Sequence, residues 1–142
     1  MSDRSFVDTN ILMYAHDTGA GEKHARAKAL VEELWESRSG AVSTQVLQEL
    51  VVNLRRKAGK PLDAKVTRDI IADYLAWQVV VNGGDSILEA LELETRYQLS
   101  FRDALVVQAA QVAGAEILYS EDLSNGQQYG TVRVKNPLTS EK

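Results

Sequence analysis

Short apolar runs alternate with amphipathic segments along almost the whole chain, and this alternation limits the possible folds more than any other feature. Strands are predicted near residues 5–7, 40–42, 78–81, 117–120 and 131–134, and helical periodicity fills most of the sequence between them. Such strands typically form a parallel sheet that is covered by helices on both faces. We therefore predict an α/β fold with a central parallel sheet of about five strands, flanked by helices.

The composition is typical of one globular domain. The chain has 142 residues, of which 44% are hydrophobic and 25% are charged. The absence of cysteine excludes disulfides and thiolate metal ligands. Neither a signal-peptide pattern nor an apolar run of membrane-spanning length is present. We expect a single domain over residues 1–142 and a cytoplasmic location.

The formal net charge of −4 argues against a general polyanion binder, because such proteins are usually basic. The objection weakens if many of the acids are collected in a metal site. A local basic cluster is formed by Arg55, Arg56, Lys57 and Lys60. This cluster is either a phosphate-contacting patch or a solvated helix end.

The first predicted strand ends abruptly in Asp8, Thr9 and Asn10. Asn10 is a good N-cap for a helix that begins at Ile11. Asp8 would then lie at the carboxyl edge of the sheet, where ligands bind in open α/β folds. Asp and Asn are also common in turns, so this tripeptide alone does not establish a site.

Two further acids lie on predicted helices. Glu49 flanks the apolar stripe of a helix that is capped by Ser43 or Thr44. Asp103 lies three residues after Ser100, with the spacing of a helix cap, at the start of a nearly all-apolar helix. Because Asp103 falls on the most apolar face of that helix, its carboxylate requires a compensating cation.

A fourth acid, Asp122, follows the predicted strand at residues 117–120, with Glu121 as its rival. In a parallel sheet these four positions can converge on one edge. Several carboxylates brought close together repel one another unless a divalent cation lies among them. Oxygen ligands alone suit Mg²⁺ or Mn²⁺. Without metal, this crowding predicts that Asp8→Asn stabilises the fold.

Four motifs, in this order, resemble the PIN domain family, and most of all the VapC-type toxins of bacterial toxin–antitoxin pairs. They are Phe6-Val7-Asp8-Thr9-Asn10, Ser43 six residues before Glu49, Arg102-Asp103-Ala104-Leu105, and Leu118-Tyr119-Ser120-Glu121-Asp122. The resemblance implies a PIN-like three-layer fold and a divalent-metal-dependent endoribonuclease that uses Mg²⁺ or Mn²⁺. It covers essentially the whole chain.

The resemblance also implies which residues form the site. By position, the acidic quartet corresponds to Asp8, Glu49, Asp103 and Asp122, as catalytic residues and metal ligands. Thr9, Asn10 and Ser120 match the supporting polar positions; the family often has Thr where Ser120 stands, so a hydroxyl is kept. Asp8 and Asp103 are expected to bind the metal directly, and Glu49 and Asp122 directly or through water. The residues that bind the substrate are not predicted.

The partners implied by the resemblance are an RNA substrate and a small antitoxin that covers the acidic site. A homodimer or a hetero-oligomer with the antitoxin is also implied. Ile70 and Tyr74, on the helix predicted over residues 63–76, could contribute to the dimer surface. No membrane association is expected.

Three alternatives stay open at the level of sequence. A haloacid-dehalogenase-like phosphatase also begins with an Asp after its first strand, but it requires a second Asp where Asn10 stands. A receiver-like phosphorylation switch would use Asp8 with Lys135, yet Val81 and Asn82 provide no Asp at the end of a middle strand. A non-catalytic PIN module that binds RNA or protein is the third alternative.

Overall fold

Six short strands form one sheet in the computed structural model, which describes residues 4–139. They are β1 (Ser5–Val7), β2 (Gly40–Ser43), β3 (Gln78–Val80), β4 (Ile117–Tyr119), β5 (Gln128–Tyr129) and β6 (Val132–Lys135). Their order in the sheet is β3-β2-β1-β4-β6-β5. All neighbouring pairs are parallel except β5 with β6, which are antiparallel.

Helices flank this sheet. They are α1 (Thr9–His16), α2 (Glu22–Ser37), α3 (Thr44–Val52), α4 (Ala64–Tyr74), α5 (Gly84–Tyr97) and α6 (Phe101–Val112). A short 3₁₀ helix covers Thr18–Ala20, and a π-helix, Asn53–Lys57, continues α3. α1 packs against α2 and α3, and α5 packs against α6. Within residues 4–139, no helix combines the length and apolar character needed to cross a bilayer.

The central strands are apolar because parallel strands covered on both faces expose neither side to water. Phe6 and Val7 of β1 are fully buried, as is Leu118 of β4. After its first turn, α6 carries mainly alanine and valine side chains, and Val106 and Val107 are fully buried. The predicted α/β fold with a central parallel sheet flanked by helices is confirmed, and within the described residues β5 is the one strand that pairs antiparallel to its neighbour.

The strand count differs from the prediction of about five. The additional strand, β5, has only two residues and forms a hairpin with β6. Gly130, between the two strands, has a φ of 64°, a left-handed conformation that favours glycine in a tight turn. A strand of two residues is too short to leave a periodic pattern in the sequence.

Two predicted helix caps were wrong. Asp8, not Asn10, is the N-cap of α1, and its carboxylate accepts the Thr9 backbone N–H. For α5, the capping-box spacing of Ser86 and Glu89 predicts Ser86 as the N-cap. The observed N-cap is Gly83, three residues earlier. Ser86, predicted to cap α5, lies in its first turn, where its Oγ accepts the Gly83 N–H at 2.9 Å. In both cases several consecutive polar residues could cap the helix, and sequence alone does not rank them.

The surface suggested for dimer formation also requires a correction. Tyr74 is only 1% exposed, packs edge-on against Trp77, and forms a hydrogen bond with His16. It therefore cannot contribute a free surface. Ile70 is only half-buried and packs against the core.

Candidate active site

The strand register brings the first polar residues together at the centre of the sheet. Val7 of β1 pairs with Tyr119 of β4, so the two strands end at the same level. The residues that follow, Asp8 and Ser120, lie side by side, and Ser120 Oγ donates to Asp8 Oδ2 at 2.9 Å. Asp8 is fully buried. Its position is fixed by the end of β1 and by the first turn of α1.

Glu49 reaches the same point from α3. Ser43 caps this helix by accepting the Val46 N–H at 3.2 Å, as the sequence predicts for one of two candidate caps. Glu49 is 31% exposed at its side chain, between the buried and the solvent faces. Its Oε1 accepts the Thr9 hydroxyl at 2.7 Å. Thr9 thus connects the start of α1 to the acid on α3.

Asp103 lies in the first turn of α6, and Asp122 lies just beyond β4. Ser100 caps α6 by accepting the Asp103 N–H at 3.1 Å. The Asp122 backbone N–H donates to Ser120 Oγ at 3.1 Å, and Asn10 Nδ2 donates to Asp122 Oδ2 at 3.0 Å. Asp122 is the most exposed of the four acids, at 42% of its side chain, against 21% for Asp103.

The four acids surround the guanidinium of Arg102. Two edges of the guanidinium each bind a carboxylate through two bonds: Nη2 and Nη1 donate to Asp8 at 2.7 and 3.1 Å, and Nη2 and Nε donate to Glu49 at 2.6 and 3.2 Å. Nη1 also donates to Asp103 Oδ1 at 3.1 Å and lies 3.9 Å from Asp122 Oδ2. The structure therefore places all four predicted acids around one point.

These contacts shift the pKa values of Arg102, Glu49 and Asp122. Burial acts to lower the pKa of Arg102, but hydrogen bonds to Glu49 and Asp8 raise it above its ordinary value. Burial likewise acts to raise the pKa of Glu49, yet hydrogen bonds from Arg102 and Thr9 hold it below its usual range. Burial and the charge of Asp8 raise the pKa of Asp122. Asp122 is thus the acid whose charge is least compensated.

Glu121, the sequence rival of Asp122, faces a different group of side chains. Its Oε1 accepts the Tyr14 hydroxyl at 2.9 Å, and its Oε2 forms an ion pair with Lys23 at 2.6 Å. In the segment after β4, Asp122 therefore joins the other three acids, whereas Glu121 contacts side chains of α1 and α2.

The donor set suits a hard divalent cation, since it offers only carboxylate oxygens with hydroxyl and amide support. Within residues 4–139, however, no three acidic or histidine side chains are arranged as a metal site. The guanidinium of Arg102 lies between the carboxylates of Asp8, Glu49 and Asp103, which would hold such a cation. The chemistry of the residues thus fits a metal, while one internal cation holds the position.

A cleft of about 480 Å³ opens beside the quartet. It is lined by residues of α1, α3, the π-helix, α6 and the segment after β4, namely Asn10, Gln48, Glu49, Val52, Asn53, Lys57, Arg102 and Asp122. A larger depression of about 640 Å³ lies at the amino edge of the sheet and contains none of the four acids. The chemistry therefore favours the smaller cleft.

No role was predicted for Arg102, although it lies within one of the four motifs. The signal was present in part: Asp103 on an apolar face requires a cation, and an arginine precedes it. Consecutive helical residues point about 100° apart, so their convergence on one site could not be assumed.

Solved structures with a similar fold include toxins and toxin–antitoxin complexes. VapC20 of Mycobacterium tuberculosis, described as a sarcin–ricin-loop-cleaving toxin, is 26% identical, has a TM-score of 0.65, and aligns over 83% of this chain and 89% of its own. A chain of a Klebsiella pneumoniae toxin–antitoxin complex is 19% identical, with a TM-score of 0.69, over 94% of this chain and 97% of its own.

A chain of the DNA-bound VapBC2 complex of Rickettsia felis is similar to the same degree. It is 19% identical, has a TM-score of 0.65, and aligns over 93% of this chain and 97% of its own. No curated protein sequence matches the chain. The PIN domain profile matches residues 5–124, which include all four acids and Arg102. A haloacid-dehalogenase-like phosphatase and a receiver-like switch are thereby set aside, and the chain belongs to the PIN domain family.

Proposed function

We propose that this chain is a divalent-metal-dependent endoribonuclease that acts in the cytoplasm as the toxin of a toxin–antitoxin pair. The observation that carries the proposal is the convergence of Asp8, Glu49, Asp103 and Asp122 at the carboxyl edge of the sheet of a PIN domain. The likeness to VapC20, described as a toxin that cleaves the sarcin–ricin loop, supports it. We further propose that residues 1–142 form one domain.

The four carboxylates would hold a divalent cation, whose chemistry would be to lower the pKa of a bound water molecule and to offset the charge that develops on the phosphoryl oxygens. Asp8 and Asp103 are the proposed direct ligands, since one is fixed by a strand end and the other by a capped helix start. Glu49 and Asp122 complete the set. Asp122 faces the cleft, and its contact with Asn10 suits it to orient the attacking water.

The cleft beside the quartet is the proposed RNA site. Lys57 lines it together with the polar side chains of Gln48 and Asn53. Arg55 and Arg56 are exposed on the same π-helix. These cations provide a local phosphate-contacting surface on a protein whose net charge is −4.

A protein antitoxin is the proposed partner, because two of the structural relatives above are toxin–antitoxin complexes. A basic side chain of the antitoxin placed among the carboxylates would exclude metal and substrate together. Self-association stays a prediction. Large apolar side chains are exposed at Val52 of α3, at Val66 of α4 and at Leu75, which follows α4. They are the proposed contacts between two copies of the chain.

RNA cleavage by the purified protein tests the function. We expect cleavage with Mg²⁺ or Mn²⁺, none in excess chelator, and recovery when metal is restored. Asp103→Asn should lower the rate by at least about 100-fold, since it removes a proposed metal ligand. The matched control is Glu121→Gln, which neutralises an acid that faces Lys23 and should leave cleavage within about twofold.

Two outcomes count against the proposal. Cleavage that continues unchanged in chelator contradicts the metal dependence. A folded protein that binds RNA but cleaves none with either metal favours the non-catalytic PIN module.

A further inference from the structure

We infer that Arg102 is an internal counter-ion, which holds the carboxylates in the metal-free protein and competes with the divalent cation for them. The inference rests on the proposed metal-dependent function and identifies what controls metal entry. Arg102 and the cation cannot occupy the site together, so metal affinity depends on how strongly this one side chain is held.

The hydrogen bonds show how completely Arg102 takes the place of a cation. Every N–H group of its guanidinium meets a carboxylate oxygen of Asp8, Glu49 or Asp103. Two of these carboxylates are bound through two bonds each, an arrangement that a lysine could not reproduce. Asp8 is fully buried, so removal of this cation would leave its charge without an ionic partner.

The guanidinium fills the space between the carboxylates of Asp8 and Asp103. Nη1 of Arg102 lies 3.1 Å from both Asp8 Oδ2 and Asp103 Oδ1. Mg²⁺ requires oxygen ligands at about 2.0–2.1 Å, so its carboxylates must close around the space that the guanidinium fills. A divalent cation offsets two of the four carboxylate charges, whereas the guanidinium offsets one.

The cleft beside the four acids can accommodate the Arg102 side chain when it leaves the carboxylates. Its side chain is 31% exposed and lines the cleft that contains Lys57. When metal binds, the guanidinium moves into this cleft, where it adds to the basic side chains that face RNA phosphates. Metal binding and release of Arg102 are therefore linked, and each must favour the other by the same factor.

Mn²⁺ binding to the RNA-free protein tests the inference, measured from the electron paramagnetic resonance signal of free Mn²⁺. Arg102→Gln removes the competing charge and should tighten Mn²⁺ binding by about tenfold, equivalent to about 1.4 kcal/mol. In chelator, the variant should melt at a lower temperature than the parent, and Mn²⁺ should raise its melting temperature more. Arg102→Lys keeps the charge but cannot form the paired hydrogen bonds of a guanidinium, so its Mn²⁺ affinity should lie between those of the parent and Arg102→Gln.

Arg96→Gln is the matched control, because it removes the same charge from an exposed position on α5 and should leave Mn²⁺ affinity within about twofold. The parent protein offers a test that needs no variant. The Arg102 Nε–H resonance in a ¹H–¹⁵N spectrum should be protected from exchange in chelator, and Mg²⁺ should shift it or remove its protection.

The outcomes separate the two proposals. Equal Mn²⁺ affinity of the parent and Arg102→Gln, or an Arg102 resonance unchanged at saturating Mg²⁺, overturns the counter-ion and leaves the metal site intact. Absence of Mn²⁺ binding by both proteins overturns the metal-dependent function and, with it, this inference.

Discussion

Asp8 and Asp122 bring the same charge to the site, but the charge is compensated very differently. Asp8 is fully buried and accepts hydrogen bonds from Ser120, the Thr9 backbone and both Nη atoms of Arg102. Asp122 accepts one from Asn10, lies 3.9 Å from Arg102, and has a raised pKa because of burial and the charge of Asp8. In the metal-free protein, Asp122 is therefore the carboxylate whose ionised form is most destabilised by its acidic neighbours.

This difference moves the expected stability gain from Asp8 to Asp122. In chelator at pH 7, Asp122→Asn should raise the melting temperature by about 1–2 °C, since it relieves a partly exposed repulsion worth about 0.5 kcal/mol. Asp8→Asn should lower the free energy of unfolding by about 1–3 kcal/mol, because Arg102 loses a buried acceptor. Thermal and urea denaturation measure both effects.

The pH dependence gives the control for Asp122. A carboxylate whose pKa is raised in the folded state destabilises the fold when ionised, and this cost disappears on protonation. The advantage of Asp122→Asn should therefore shrink as the pH falls through the raised pKa, and vanish below the ordinary Asp value of about 3.9. A pH-independent advantage would assign it to another cause. A stabilised Asp8→Asn would show that crowding outweighs the pairing with Arg102.

At the level of elements, the basic π-helix segment is held against α1 by one buried carboxylate. Asp17, which follows α1, is 3% exposed and accepts the backbone N–H groups of Gly19, Gly59 and Lys60 at 3.0, 2.7 and 3.0 Å. Burial acts to raise the pKa of Asp17, but these backbone donors outweigh it and lower the pKa. Asp17 thus fixes the loop that follows the cleft-lining π-helix.

Asp17→Asn should lower the free energy of unfolding by about 1–3 kcal/mol, because an amide nitrogen cannot accept the N–H groups that the carboxylate accepts. The matched control is Asp69→Asn, which breaks an exposed ion pair with Lys65 and should cost less than about 0.5 kcal/mol. Since the pKa of Asp17 is lowered on folding, its contribution should be lost as the pH falls through that lowered value. Equal costs for the two variants would contradict this role.

Elements were predictable where one local signal dominates. The cap of α6 by Ser100 follows from a polar residue directly before an apolar helix. For α3 the sequence left two candidates, Ser43 and Thr44, and Ser43 is the cap. The caps at Asp8 and Gly83 were not predicted, because neighbouring polar residues compete. The π-helix left no recognisable signal, since it differs from an α-helix by one residue in its hydrogen-bond spacing.

At the level of the whole molecule, the convergence of the acids followed from topology. Because parallel strands end at one edge, Asp8 after β1 and Asp122 after β4 had to lie near each other once those strands became neighbours. No local sequence pattern encodes the order of the strands, and thus that β1 and β4 are neighbours, because this order depends on tertiary packing. The same holds for the position of the Arg102 side chain. The sequence thus predicted which acids meet, but not that a cation from the chain itself lies between them.

The proposed biological role predicts what expression of this chain does to a cell. Expressed alone in a bacterium, it should arrest growth, because a PIN ribonuclease with its acidic quartet in place acts on cellular RNA. Asp103→Asn should abolish the arrest at equal protein levels, whereas Glu121→Gln should still cause it, because Glu121 faces Lys23 and Tyr14. Growth curves with immunoblots of each variant measure this.

The same experiment tests the partner. Co-expression of a short neighbouring gene for a DNA-binding antitoxin should restore growth. The antitoxin should co-purify with this chain, because a basic side chain of the antitoxin among the four carboxylates would form the ion pairs that Arg102 forms in the free protein. Arg102→Gln should bind such an antitoxin more tightly than the parent, because the internal competitor is gone. Harmless expression of a folded protein that cleaves RNA in vitro would instead indicate a nuclease without a toxin role.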